Sequence, residues 1–381
     1  MPNFYSIPTS FIGPKALTQA MPTVGLLGAR RALVVADRAA VTAGPYDQLD
    51  WLLRSQNIQV TLHELALADA TVHAVDQGLA LLKRDGCELV VSLGSDVAHD
   101  CAKGIALCAT NGGQIGDYEG VNRSALAALP LVCINISGAG GSHAGRFCLI
   151  AHPSRAVPIA IVDRHVLPMI TIGDSELMAG LTRANVAAIG METLGYAVEA
   201  YVSTGATPMS EGGALKAVEL VSGHLEAVVN QQSAPADHDA LVYAQILAGA
   251  AHSHAFLGYA NALARQLRRD HGLPRGVGTA LILPHLQRFN APYCARRLAD
   301  VARAMGVCDQ PEGWLRGAQL ASDAMVGLAL SVGMPEGLAQ LGITEAHLPR
   351  LAAHALQDPC GISNPRNATQ HDLEDVLRCA L

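Results

Sequence analysis

The sequence predicts an N-terminal α/β domain built on a parallel sheet, Rossmann-like in kind, joined directly to an all-helical C-terminal domain. Three observations lead there. Short apolar runs alternate with helical patterns from Arg31 to about Ile136. After Asp174 the chain turns alanine- and leucine-rich with helical period. Its 381 residues also exceed one ordinary domain of roughly 150 residues. The expected division is 1–174 and 175–381.

Leu33-Val34-Val35 forms the first strand of this pattern, followed by a helix through Leu49 and Leu53. Val60-Thr61-Leu62 is the second strand, and a helix spans roughly Thr71 to Leu82. Leu89 to Leu93 is the third, with a helix from about His99 to Cys108, and Leu131 to Ile134 is the fourth. Continuous apolar strands separated by helices imply βαβ units and a sheet covered on both faces. Ile159 to Val162 and Met169 to Ile172 are further strand candidates. Beyond Asp174 one long helix is expected from about His238 to Arg268, and Pro274, Pro284 and Pro292 punctuate the chain after it. A ligand site is expected in the cleft between the two domains.

Composition narrows the function classes. Half of the residues are hydrophobic, only 15% are charged, and the net charge is −7. A nucleic-acid-binding chain should carry a basic excess or stripe, and a disordered one should lack this apolar content. Nine cysteines without C-x-x-C spacing read as reduced, mostly buried thiols. No signal-peptide pattern opens the chain, and no apolar run is long enough to span a membrane. A cytoplasmic protein that touches neither nucleic acid nor membrane is expected.

Several motifs in register carry a family resemblance. Val91-Ser92-Leu93-Gly94 runs into His99-Asp100-Cys101-Ala102-Lys103-Gly104. Further along the chain come Asp117-Tyr118-Glu119-Gly120, Ala160-Ile161-Val162-Asp163, Glu199-Ala200-Tyr201-Val202-Ser203 and Leu283-Pro284-His285. Together they resemble the iron-containing (group III) alcohol dehydrogenases, nearest the methanol, 1,3-propanediol and lactaldehyde dehydrogenase branch. The match extends from Phe11 to Asn364-Pro365. It implies the dehydroquinate synthase-like fold of that family, an NAD(P) cofactor, and a dimer or larger homo-oligomer. Phe4 to Thr9 would supply a strand to that assembly.

In the family a Gly-Gly-Gly-Ser turn lets backbone N–H groups approach the dinucleotide pyrophosphate. The corresponding residues here are Gly94, Ser95, Asp96 and Val97. Asp96 either places a carboxylate where phosphate should lie or caps the helix beginning near His99, and capping is the favoured role. Both weaken NAD(P) binding. The resemblance also implies cofactor contacts from Asp37 near the ribose, and from Ser137, Gly138 and Ser142 in a second glycine-rich loop that includes Gly140. His143 stands where the family usually has Glu. A plain surface loop would account for those glycines equally well.

The family's metal ligands are an Asp and a His four apart on one helix, then two histidines further on. Alignment on Gly190-Met191 and Leu257-Gly258-Tyr259 places Glu192, Tyr196, Asn261 and Arg275 there, with Arg265 at an accessory histidine. Glu192 can ligate a divalent ion. Tyr and Asn are poor ligands for iron or zinc, and Arg is a fixed cation that binds no metal. Iron or zinc is therefore not expected at this position. Instead, Arg275 is expected to pair with Glu192, with Tyr196 and Asn261 completing the hydrogen bonding. His252, His254 and His271 offer little as a replacement set, because His252 and His254 are two apart on a helix and diverge. His285 reads as structural.

Three functions remain as expectations. The first is a family member that has lost metal-dependent hydride transfer and serves as a regulatory protein, a binding module, or a partner subunit in a hetero-assembly with an active homologue. The second is an NAD(P)-dependent alcohol or aldehyde oxidoreductase in which Arg265 or Arg275 polarises the carbonyl. The third is non-redox binding or turnover of an anionic small molecule at the same two arginines.

Overall fold

A computed structural model describes residues 4–66, 69–139, 141–309 and 313–381. The chain forms two compact units, 1–180 and 181–381. The boundary lies a few residues beyond Asp174, because the strand that ends at Asp174 and the single turn after it belong to the first unit.

Among the described residues, nine strands run through the first unit: β1 (Thr9–Gly13), β2 (Arg31–Asp37), β3 (Gln59–Leu65), β4 (Leu89–Gly94), β5 (Gly120–Val121), β6 (Leu131–Asn135), β7 (Phe147–Ile150), β8 (Ile159–Val162) and β9 (Ile170–Asp174). Its helices are α1 (Ala16–Gly25), α2 (Arg38–Thr42), α3 (Pro45–Ser55), α4 (Val72–Asp85), α5 (Asp96–Asn111) and α6 (Ser175–Met178). The main sheet has the order β1-β9-β6-β4-β2-β3, parallel at every pairing. Parallel strands covered by helices on both faces need apolar side chains on both faces. All of β4 and β6 and the stretch from Ala32 to Ala36 in β2 are accordingly buried.

The later strand candidates hold, while the N-terminal one changes. Ile159–Val162 is a strand, but it joins a separate small sheet of order β5-β8-β7, where β7 lies antiparallel to it. The N-terminal strand is Thr9–Gly13, paired with β9, so it begins where the expected Phe4 to Thr9 segment ends. Six of the nine cysteines are buried and all are free thiols.

The second unit contains α7 (Arg183–Val202), α8 (Pro208–Val229), α9 (Pro235–Ala255), α10 (Tyr259–His271), α11 (Arg275–Ala304), α12 (Trp314–Ser331), α13 (Leu348–Leu356) and α14 (Gln370–Cys379). Helix α7 starts at a Thr182 cap that accepts the Asn185 N–H, and it is buried almost throughout from Val186 to Val202. It is the central helix of this unit. The single helix expected from His238 to Arg268 is two helices, because Phe256 adopts φ 64° and breaks the ladder. The run of alanines and leucines continues across that break, so composition carries no sign of it. Among the described residues no helix is long and apolar enough to cross a membrane.

Candidate functional site

The candidate residues gather in two clusters, one in each unit. In the first unit, β4 ends at Gly94, whose φ of +139° only glycine adopts readily. A methyl group there would also fall 2.4 Å from Asp37 Oδ2. That closeness has a purpose, since the Ser95 N–H donates to Asp37 Oδ2 at 2.6 Å. Helix α5 then begins at Asp96, with Ser95 as its cap: the Ser95 hydroxyl accepts the Val97 N–H at 3.3 Å. Asp96 is therefore not the cap, and the helix starts three residues earlier than its sequence pattern indicates. The reason is that Ser95 already satisfies a first-turn donor, which frees Asp96 to reach elsewhere.

Asp96, His99, Asp100 and Lys103 occupy one face of α5 by the i, i+3, i+4, i+7 rule, and all four are buried. Asp96, Asp100 and Lys103 hold the loop between β6 and β7. The Ser142 N–H donates to Asp96 Oδ1 at 3.2 Å, and the Ser142 hydroxyl donates to Asp100 Oδ1 at 2.6 Å. Lys103 Nζ donates to the carbonyls of Ser142, Gly145 and Phe147 at 2.6, 2.6 and 2.7 Å. His99 shares hydrogen bonds with Ser92 Oγ at 2.7 Å and, more weakly, with Asn135 Oδ1 at 3.4 Å. The Ser137 N–H closes the loop onto Gly94 O at 3.3 Å. Gly138 donates its N–H to Asn135 Oδ1 at 2.9 Å. A methyl on Gly138 would sit 2.8 Å from Asp96 Oδ1 and 3.2 Å from Asp96 N. Gly140 lies outside the described residues.

The structure thus brings Asp37, Gly94, Ser95, Ser137, Gly138 and Ser142 together, through Asp96 and Asn135, in one turn-and-loop cluster. These residues do not fit a dinucleotide's phosphates: Asp37 and Ser95 Oγ already take turn N–H groups, and the second loop packs directly on Asp96.

His143 is fully buried, its ring centroid 5.7 Å from that of His99, and neither of its nitrogens has a hydrogen-bond partner. Burial lowers the His99 pKa to about 4 and, with the neighbouring His99 adding to it, the His143 pKa to about 3. Both rings are neutral at physiological pH.

In the second unit Glu192 and Tyr196 lie one turn apart on α7. The Tyr196 hydroxyl donates to Glu192 Oε1 at 3.0 Å. Arg275, the first residue of α11, brings its Nε within 2.9 Å of the same oxygen, the two side chains being 18% and 10% exposed. The Tyr196 ring stacks on His252 of α9 at 5.2 Å and 25°. The expected ion pair is present, with Tyr196 as its hydrogen-bonding partner.

Asn261 is not part of it. Its side-chain amide donates to Glu199 Oε2 at 2.7 Å, and the Ala260 N–H donates to Glu199 Oε1 at 2.8 Å. Helix α10 begins at Gly258 with no side chain of its own to cap it, so the buried Glu199 serves that purpose from α7. Desolvation raises the Glu199 pKa against these donors, which favour the charged form. Arg265 also has a carboxylate facing it: its Nε lies 3.5 Å from Asp358 Oδ2, and its Nη2 donates to Cys360 Sγ at 3.6 Å. Sequence reasoning missed Glu199 as a cap and Asp358 altogether. The uncapped start at Gly258-Tyr259 was the only available signal for the former, and Asp358 had none.

His271 packs edge-on against His347 at 4.7 Å, and the His254 Nδ1 contacts Ala250 O at 3.0 Å. His285 shares a bond with Arg288 at 3.3 Å, and burial followed by that guanidinium lowers its pKa. Among the described residues, no group of three or more His, Cys, Asp or Glu side chains is arranged to hold a metal ion. Glu192, Tyr196, Asn261 and Arg275 do not fit one either. They offer a single carboxylate, already shared by a phenol and a guanidinium.

Comparison with known proteins gives a uniform result. The model of the iron-containing alcohol dehydrogenase family matches residues 8–175, and that of the C-terminal part of the Fe-containing alcohol dehydrogenase family matches residues 186–381. Alcohol dehydrogenase 4 of Schizosaccharomyces pombe is 38% identical over 99% of this chain and 89% of its own length. The NAD-dependent methanol dehydrogenase of Bacillus methanolicus is 33% identical, with both chains covered in full. Among solved structures, a 1,3-propanediol oxidoreductase superimposes with a TM-score of 0.96 at 33% identity, each chain covered in full.

Proposed function

The chain belongs to the iron-containing alcohol dehydrogenase family, and from that premise we propose that it is a member that has given up metal-dependent hydride transfer. The observation that carries this is the 2.9 Å approach of Arg275 to Glu192. A guanidinium stands at a family metal-ligand position and neutralises the one carboxylate left among the four. Without a Lewis acid the substrate alcohol loses several kcal/mol of transition-state stabilisation. The role that remains is regulatory or ligand-binding, as a homo-oligomer or as a partner subunit to an active homologue, in the cytoplasm and apart from nucleic acid and membrane. Its ligand would be a small molecule, with NAD(P) binding weakened.

The two alternatives need a free arginine. Arg265 faces Asp358 and Arg275 faces Glu192, and each carboxylate competes with a substrate for its guanidinium, which favours the first reading.

The test is metal content. Protein purified without chelators and re-incubated with ferrous iron, zinc or cobalt should retain no stoichiometric metal. The fourfold variant Glu192→Asp, Tyr196→His, Asn261→His, Arg275→His should bind close to one ion per chain. One tightly held ion per wild-type chain would overturn the reading.

A further inference from the structure

We propose that the Asp96 carboxylate is a built-in occupant of the place where a dinucleotide phosphate would lie, and that it holds the second glycine-rich loop shut over α5. This rests on family membership alone and not on the Arg275–Glu192 pair, so the two can fail separately.

The positive end of a helix as long as the sixteen-residue α5 attracts an anion and offers backbone N–H groups to it. In this chain the anion is covalently present. Asp96 is only 5% exposed, and its carboxylate accepts the Ser142 N–H from the opposite loop at 3.2 Å. An incoming phosphate would find that donor taken. It would also find Ser95 N–H given to Asp37 and Val97 N–H given to Ser95 Oγ.

Space is closed as well as charge. Gly138 lies so near that even a methyl group on it would be 3.2 Å from Asp96 N, ground that a phosphate needs to itself. The loop is anchored from behind, through Asp100 on the Ser142 hydroxyl and Lys103 on three carbonyls. Binding NAD(P) would require breaking the Asp96–Ser142 bond, lifting Gly138, and placing two like charges side by side in a poorly solvated site. That combination disfavours binding by at least about tenfold relative to a glycine at this position.

Calorimetry and cofactor fluorescence with NADH and NADPH on the full chain test the proposal. Wild type should show no saturable binding below millimolar concentration. Asp96→Gly should bind at least about tenfold more tightly, and Asp96→Asn, which keeps an acceptor for Ser142 but loses the charge, should fall between. Amide exchange adds a readout independent of affinity: residues 141–147 should exchange faster in Asp96→Gly and regain protection when NADH is added. Wild-type binding as tight as that of either variant would overturn the proposal. So would NADH-induced protection of residues 94–97 in wild type, which stands even if both variants prove unstable.

Discussion

Arg275 Nε and the Tyr196 hydroxyl converge on a single oxygen, Glu192 Oε1, at 2.9 and 3.0 Å. A cation, a neutral donor and a carboxylate thus form a compact unit that links the N-terminus of α11 to the middle of α7. Breaking a largely buried pair by removing one partner costs more than replacing both, because the survivor keeps its desolvation penalty. Arg275→Ala should therefore destabilise by about 2–4 kcal/mol. The double change Glu192→Leu, Arg275→Met should recover most of that loss. Urea denaturation of the three proteins measures this, and a double variant no more stable than Arg275→Ala would show that the pair's geometry matters more than its charge.

His99 and His143 make stability fall on the acid side of neutrality. Each ordinarily titrates near 6.5, and burial lowers them to about 4 and about 3. Because the folded pKa lies below the unfolded one, the unfolded chain takes up protons first as the pH falls. Stability is fully present above 6.5 and declines towards the folded values. Where both rings are charged only in the unfolded chain, the slope should approach about 2.7 kcal/mol per pH unit. His143→Leu removes one of the two protons and a buried imidazole without partners, so the contribution of this pair to the slope should halve. Stability at pH 8 should not fall. Denaturant titrations at half-unit pH steps from 8 to 4.5 give both readings, and an unchanged slope would refute the assignment.

The legible parts of this molecule are those with local causes. The apolar runs at β2, β4 and β6 mark a parallel sheet because both of its faces are buried. The Arg275–Glu192 pair is accessible because the family alignment places both residues at one site. The hidden features depend on contacts between distant segments. Ser95 N–H reaches Asp37 only because β2 and β4 are neighbours, and Asp96 meets Ser142 across 46 positions of sequence. Alignment sends Asn261 to the wrong carboxylate for the same reason. Nothing local says that Glu199, rather than Glu192, faces the start of α10. Phe256 hides the break between α9 and α10, since a left-handed φ at a large apolar residue has no compositional mark.

Gly276 adjoins Arg275 at the start of α11, where that helix touches α7. A methyl there would fall 1.8 Å from Ala188 O and 2.4 Å from Ala188 C, both backbone atoms that cannot swing aside. Gly276→Ala must separate the two helices. It should cost about 3 kcal/mol or more, at the upper end of overpacking penalties, and should loosen the Arg275–Glu192 contact as well. Gly278→Ala is the control, because its methyl would approach nothing closer than 3.2 Å and should cost about 1 kcal/mol. Equal losses in the two variants would mean that the close approach of α11 to α7 is not what positions Arg275.

Lys103 is fully buried, and its ammonium gives three hydrogen bonds to the loop that Asp96 and Asp100 grip from the same helix face. Lys103→Met keeps the length of the side chain but leaves the carbonyls of Ser142, Gly145 and Phe147 without this donor. Bonds to a charged donor contribute about 1.5–3 kcal/mol each, and orphaned buried acceptors add a penalty. The loss will be smaller than a simple sum, because a freed loop can turn its carbonyls towards water. A destabilisation of about 3–5 kcal/mol is expected. Its signature should be local: amide exchange should rise first across residues 141–148 and leave β2 and β3 protected. Uniform acceleration through the sheet would instead make Lys103 a determinant of the whole first unit, and the loop could not then be treated as a separately closing element.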